Sequence, residues 1–183
     1  MVNVKFAKVR PDAIIPSKRD EDMGFDIYAC FDEDYIIINP HETKLIPTGL
    51  ASACDPGYGF LVFERGSTGS KGIARRCGVI DSGYRDEWFI GLTNTTDKDL
   101  YISKISAADI AKKQYGAFEK VSHTLYKLIE DGVNNAIIYP YSKAIAQALL
   151  IPVPKVNKKE ISYEDLKSIP SERGLGSLGS SGK

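Results

Sequence analysis

A chain of 183 residues, 43% of them hydrophobic, is long enough for one domain with a real core, or for one domain plus an insertion. Its 24 basic and 24 acidic side chains cancel, so no global field draws it to nucleic acid or to a membrane, and any polyanion must be bound locally. No apolar run approaches the roughly 20 residues that span a bilayer; three cysteines at unpatterned spacing, with no secretory leader, point to a reducing cytoplasm. With no CxxC, and with His41 and His123 far apart, a protein-ligated zinc site has no support.

Val2, Val4 and Phe6 alternate with polar residues and predict a half-buried first strand. Pro11 and Pro16 break the chain, and a charged bend over 18–22 leads into a second apolar stretch, 24–29. Asp26 stands inside that stretch, where an acid either faces solvent on the alternation or is held for a purpose. Strands are predicted at 35–38, at 43–51 (crossed by Pro47, hence an edge or a bulge), at 58–63, at 87–93 and at 100–105. Many short strands at this spacing, with no βαβ alternation, argue a sandwich or barrel. From Ser106 the pattern changes. Ser106 with Asp109 reads as a capping box, and Gly116 closes a short helix. Phe118, Val121, Leu125, Leu128 and Ile129 then fall at helical spacing, with Gly132 as the C-cap. Strands resume at 136–139 and 144–152, so the helices interrupt a β domain. Residues 155–169 are charged and briefly helical near 163–166. Residues 171–183 are too poor in apolar area to order themselves.

The stretch that organises the rest is 64–88, ERGSTGSKGIARRCGVIDSGYRDEW. Its first half suits an anion: Arg65 and Lys71, hydroxyls, and backbone donors freed by glycine. Its second half delivers one acid, Asp81, at a strand end into the Ser82–Gly83 turn beside an aromatic, Tyr84. A phosphate cradle next to a lone carboxylate is what water attack on a phosphoryl group requires. The tail repeats the cradle's composition, with Arg173 ahead of glycines and hydroxyls, and could close over a phosphate chain. Neither glycine-rich segment is a Walker loop or a dinucleotide fingerprint, because neither is followed by the helix of a parallel α/β unit.

Taken in order, five blocks resemble the trimeric dUTPase family: DMGFDIYA (22–29), ERGSTGSKG (64–72), GVIDSGYRDE (78–87), AIAQALLIP (144–152) and ERGLGSLGSSGK (172–183). The resemblance implies a mainly β, antiparallel jelly-roll-like subunit. Its core would occupy 1–154, with a helical insertion at about 104–135 and a flexible C-terminal arm, 155–183, closing over a neighbouring subunit's active site. It implies a homotrimer that converts dUTP and water to dUMP and pyrophosphate, with Mg2+ held by the triphosphate and water and no direct protein ligand. Asp81 resembles the base that orients the attacking water, and Asp26 the acid that approaches the metal through water. Tyr84 would pack on the deoxyribose and leave no room for a 2′-hydroxyl. Arg65, Ser67 and Gln147 would hold phosphate oxygens, and Arg173, helped by Ser180 and Ser181, the terminal phosphate. Gly66, Gly78, Val79, Ile80, Leu178 and Gly179 complete the substrate-binding set that the resemblance implies.

Four positions depart from the family's pattern. Gly66 stands in place of a serine, Ala144 of an arginine, Asp86 of a glycine, and Leu178 of the aromatic that stacks on uracil. Leucine retains part of a stacking contact worth roughly 1–3 kcal/mol, which predicts a looser lid and a raised KM that Leu178→Phe would lower. The insertion is similar in placing to an extra element of some bacteriophage members, where it is associated with binding a repressor protein. A phage origin and a regulatory partner follow as expectations. An exposed apolar stripe at 118, 121, 125 and 128 would favour the partner, and a covered one an element packed on its own subunit. Two other functions stay open: a dCTP deaminase-type relative sharing the fold, and a non-enzymatic nucleotide-binding regulator.

Overall fold

A computed structural model describes residues 2–116, 123–172 and 174. Among the described residues, twelve strands carry the first compact unit, residues 1–153. They are β1 (Val4–Lys8), β2 (Phe25–Ile27), β3 (Tyr35–Ile38), β4 (Thr43–Pro47), β5 (Leu50–Cys54), β6 (Tyr58–Phe63), β7 (Ile73–Arg76), β8 (Val79–Asp81), β9 (Phe89–Asn94), β10 (Leu100–Ser103), β11 (Ile137–Pro140) and β12 (Ala146–Pro152). A single helical turn, α1 (Gly66–Gly69), follows β6, and two helices, α2 (Ala107–Gly116) and α3 (His123–Asn134), lie between β10 and β11. The second unit, residues 154–183, contains α4 (Tyr163–Ser168), whose first turn is capped by Ser162 Oγ accepting the Asp165 amide at 3.0 Å.

The strands form four small sheets, ordered β1-β5, β11-β10-β3, β2-β12-β6-β8 and β4-β9-β7. Among the described residues every pairing is antiparallel except β10 with β11. Inward faces meet in one core where Phe6, Phe25, Phe60 and Trp88 pack edge to face, with Phe60 and Trp88 centroids 5.1 Å apart.

Three stretches depart from the sequence reading. The strand expected over 43–51 is two strands: β4 pairs with β9, and β5 crosses to pair with β1. Pro47 ends the first, and Gly49 turns the corner at φ +65°, where a Cβ would lie 2.8 Å from that of Ala13. Residues 73–76, where no strand is predicted, form β7 because they pair with β9 far along the chain. Gly132 is inside α3 rather than its cap; the helix continues to Asn134 because Val133 is buried in the helix–sheet contact. Phe118 and Val121 lie outside the described residues.

The helix pair packs on the β11-β10-β3 sheet through Ile110, Ala111 and Val133 against Tyr101, with Tyr35, Ile37 and Ile138 around them. Gln114 Nε2 donates to the Tyr101 hydroxyl at 3.1 Å, and Lys113 pairs with Asp34 at the end of the loop before β3. Ile129 joins this contact, whereas Leu128 is 63% exposed. No described helix is long and apolar enough to cross a membrane.

Candidate active site

Strand β6 ends at Phe63, Glu64 and Arg65 follow it, and the chain then folds into the α1 turn. Thr68, whose side chain is buried, locks that turn: its hydroxyl accepts the Arg65 amide and donates to the Arg65 carbonyl, both at 2.9 Å. Gly66 and Ser67 open it with amides that have no acceptor within the helix. A Cβ on Gly66 would meet nothing within 4 Å, so the missing hydroxyl at this position is not forced by crowding.

Arg65 reaches back to Asp26 on β2. Its Nε lies 2.9 Å from one carboxylate oxygen and its Nη2 3.1 Å from the other, a two-point ion pair. Asp26 is therefore half-buried and held by this pair rather than free in solvent. Gln147 on β12 sits in register with both Asp26 and Phe63, and its Nε2 donates to the Glu64 carbonyl at 2.8 Å. One of its amide donors is thus spent on the backbone. Asp26, Arg65 and Gln147 line an open cavity of about 620 Å³, walled on the other side by residues 17–24. There Arg19 clasps Asp22, at 2.9 and 3.0 Å, and holds its carboxyl below the usual carboxylate range. Among the described residues, Lys18 Nζ donates to the carbonyls of Arg19 and Asp22. Lys18 and Arg19 as lining residues were hidden in sequence inside what reads as a charged bend. Glu64 accepts the Arg75 amide at 2.8 Å; that hydrogen bond, with the charges of Arg75 and Arg76 nearby, keeps its carboxyl low as well.

The second half of the 64–88 stretch lies elsewhere. Cys77 takes φ +55°, and Gly78 passes so close to β6 that a Cβ would lie 2.8 Å from the Val62 carbonyl and 2.4 Å from Arg75 Nη1. Val79, Ile80 and Asp81 form β8, with Ile80 turned into the core and Val79 and Asp81 outward. A turn closes from the Tyr84 amide to the Asp81 carbonyl at 3.1 Å. Asp81 and Tyr84 line a separate cavity of about 320 Å³ with Leu45, Cys77, Val79 and Phe89.

Asp26 and Asp81 stand on opposite edges of the β2-β12-β6-β8 sheet. Three strand spacings separate them across the sheet, and the register offset from Phe63 to Gly59 separates them along it. At about 4.8 Å per spacing and about 3.3 Å per residue the backbone positions of the two residues are roughly 19 Å apart, far more than the length of three linked phosphates. Within one chain, the structure therefore brings Arg65, Asp26 and Gln147 together, and Asp81 with Tyr84, but not the two groups with each other. Arg173, Leu178, Gly179, Ser180 and Ser181 lie outside the described residues. Ala144 is buried, its carbonyl taken by the Tyr139 hydroxyl at 2.7 Å; Asp86 caps its own loop by accepting the Glu87 amide at 2.8 Å. Among the described residues no three acidic, cysteine or histidine side chains converge to hold a metal.

The family model for dUTPase matches residues 10–110. A deoxyuridine 5'-triphosphate nucleotidohydrolase of Nautilia profundicola is 30% identical along the whole of both chains. One of Leptospira interrogans is 34% identical over 122 residues, covering 63% of this chain and 83% of its own. In three dimensions the chain is similar to the Staphylococcus bacteriophage 80alpha dUTPase with dUPNHPP, at a TM-score of 0.68 and 19% identity over 99% of both chains. It is also similar to the dUTPase of phage phi11 of S. aureus, at 0.59 and 17% over 87% of this chain and 96% of that one. The chain belongs to the dUTPase family.

Proposed function

We propose that the chain hydrolyses dUTP to dUMP and pyrophosphate by in-line attack of water on the α-phosphorus. The observation that carries this reading is the outward carboxylate of Asp81 at the end of β8, one tight turn from Tyr84 and facing the same cavity. Asp81 takes a proton from the water as its oxygen bonds to phosphorus; the bond from phosphorus to the bridging oxygen breaks, and pyrophosphate departs with the electron pair. Tyr84 turns its ring to the deoxyribose, and Gly78, Val79 and Ile80 hold the nucleotide along β8. Arg65, Gly66 and Ser67 bind phosphate oxygens through guanidinium, amide and hydroxyl donors. Gln147 adds the amide hydrogen left over from its bond to Glu64. Arg173, Leu178, Gly179, Ser180 and Ser181 belong to the arm that covers the nucleotide.

The separation of Arg65 from Asp81 supports a site shared between copies of the chain, which fits a homotrimer. The donor set suits Mg2+ carried by the triphosphate, since Asp26 is the acid beside the phosphate-binding arginine and its carboxylate is already committed to Arg65. When bound, the ion would neutralise phosphate charge, with Asp26 and Arg65 beside the phosphates it is carried by. The free thiols Cys30, Cys54 and Cys77 suit a reducing cytoplasm. Pyrophosphate release from dUTP, measured with dCTP and ammonia release alongside, tests the activity and separates it from deamination. Asp81→Asn should lower turnover at least about a hundredfold with dUTP still bound. Wild-type turnover in that variant removes Asp81 from its role.

A phage-type member is the finer reading, supported by the likeness to the two staphylococcal phage enzymes. A regulatory partner engaging α2–α3 fits the exposed Leu128. Co-purification from a bacterial lysate that is lost in Leu128→Asp, with dUTP turnover unchanged, is the expected outcome; binding that survives the substitution counts against this surface.

A further inference from the structure

Tyr84 is fastened at both ends. Its amide donates to the Asp81 carbonyl (3.1 Å), its own carbonyl accepts from Arg85 Nη1 (2.9 Å), and its phenol hydroxyl donates to the Glu87 carbonyl (3.0 Å). The loop that holds it is riveted in turn to the corner between β4 and β5. Glu87 Oε1 accepts the Gly49 amide at 2.7 Å, and Arg85 Nη1 also binds the carbonyls of Ser82 at 2.6 Å and Ser52 at 3.3 Å. Trp88 donates its amide to the Leu50 carbonyl and accepts from Thr48 Oγ1, both at 2.7 Å.

Tyr84 is 40% exposed, so packing alone does not hold its first two torsions. A steric filter rejects an extra hydroxyl only as well as its wall stays in place; a wall that yields admits the larger sugar. We infer that Glu87 and Arg85 are positioning residues for sugar selectivity: they fix Tyr84 against the β4–β5 corner and thereby set discrimination between deoxyribo- and ribonucleoside triphosphates. Glu87 spends its carboxylate on Gly49, so it acts through Tyr84 rather than on substrate. This inference rests on the reading in which Tyr84 faces the sugar.

The test is the ratio of kcat/KM for dUTP to that for UTP, read beside the thermal midpoint of each variant. A residue that only stabilises the fold moves the midpoint and leaves the ratio alone. Glu87→Ala should lower the ratio about tenfold, and Arg85→Ala by a similar factor, the loss expected when a tethering hydrogen bond is removed. Glu87→Gln keeps an oxygen for the Gly49 amide and should hold the ratio within about twofold of wild type. Tyr84→Phe removes the hydroxyl tether without touching Glu87, so it carries the test should Glu87→Ala fail to fold; it too should lower the ratio. Wild-type ratios in the folded variants, with the ratio lost in Tyr84→Ala, overturn the positioning role alone. An unchanged ratio in Tyr84→Ala overturns the sugar-facing reading of Tyr84 itself.

Discussion

Arg65 and Asp26, 39 residues apart in sequence, meet as a two-point ion pair across the β2–β12–β6 ladder, with Nε and Nη2 each on a separate carboxylate oxygen. The pairing leaves the Nη1 donors of Arg65 for a ligand and fixes the plane in which they point. On the proposed reading, Asp26 has a role that does not pass through a metal: it aims the arginine.

Both side chains of this pair are 32% exposed, so the ion pair contributes at most about 1 kcal/mol to stability. Function should respond more strongly than stability. Arg65→Ala is expected to raise KM for dUTP at least about tenfold, and Asp26→Asn about three- to tenfold, with the thermal midpoint of each within a few degrees of wild type. Steady-state kinetics and a melting curve on the same samples check this. A large fall in midpoint with unchanged KM would make the pair structural.

Gly66 occupies open space and does not adopt a positive φ, so the chain can accept a side chain there. Gly66→Ser restores a hydroxyl beside Arg65 and Ser67. It should fold as well as wild type, because serine loses less backbone freedom than glycine. KM for dUTP should fall by about two- to fivefold, in keeping with one added hydrogen bond to a charged phosphate. A KM that rises instead would mean that the phosphate chain passes closer to the backbone than a hydroxyl allows.

Gly78 is the opposite case. Its Cβ would press on the Val62 carbonyl at 2.8 Å, and the strands cannot part because the Val62 amide is bound to the Gly78 carbonyl at 2.7 Å. Gly78→Ala should cost about 1–3 kcal/mol in urea denaturation. It should also lower kcat, since the displaced segment leads directly into Asp81.

The folded-state pKa of Glu64 is depressed, first by the hydrogen bond from the Arg75 amide and then by the neighbouring arginines. A depressed carboxyl contributes stability above its unfolded value, 4.5, and that contribution is lost as pH falls through the folded value. Wild type should exceed Glu64→Gln in stability near neutrality, with the gap closing as the pH is lowered from 4.5 through the folded value. Urea midpoints across that range decide it. A gap that stays constant would assign the effect to packing rather than to ionisation.

Local order was legible where the chain carries its own punctuation. β3 and β6 begin and end where the sequence predicts, because β-branched and aromatic runs are bounded by Asn39–Pro40 and by Asp55, Pro56 and Gly57. What escaped depends on distant partners. β7 has no alternation of its own and exists because β9 offers it an edge. The corner at Gly49 follows from the closeness of Ala13, and the end of α3 from the burial of Val133. At the site, residue types in order marked Asp81, Tyr84, Arg65 and Asp26. Their division into two cavities came from strand order, and the bracing of Tyr84 by Glu87 and Arg85 came from a loop folding onto a corner some 35 residues earlier in the chain, near Gly49 to Ser52. No local pattern encodes either.

The parallel pairing of β10 with β11 makes the helical segment more than an appendage. Leu100 pairs with Ile137 and Ser103 with Pro140, so the chain must leave one end of the sheet and return to the other. Parallel neighbours need a crossover of about a dozen residues or more, whereas a hairpin link serves only antiparallel ones. Replacing residues 107–134 by four residues should therefore tear β11 from the sheet, exposing Tyr101 and Ile138 and giving an aggregating or partly folded product. A flexible glycine–serine link of about twenty residues is long enough to cross and should retain the β fold and measurable dUTP hydrolysis, with stability lowered by the loss of the Ile110 and Val133 contacts. Circular dichroism, sizing and a pyrophosphate assay on the two variants test this: equal behaviour of the short and the long link would mean that β11 does not need the crossover to find its place.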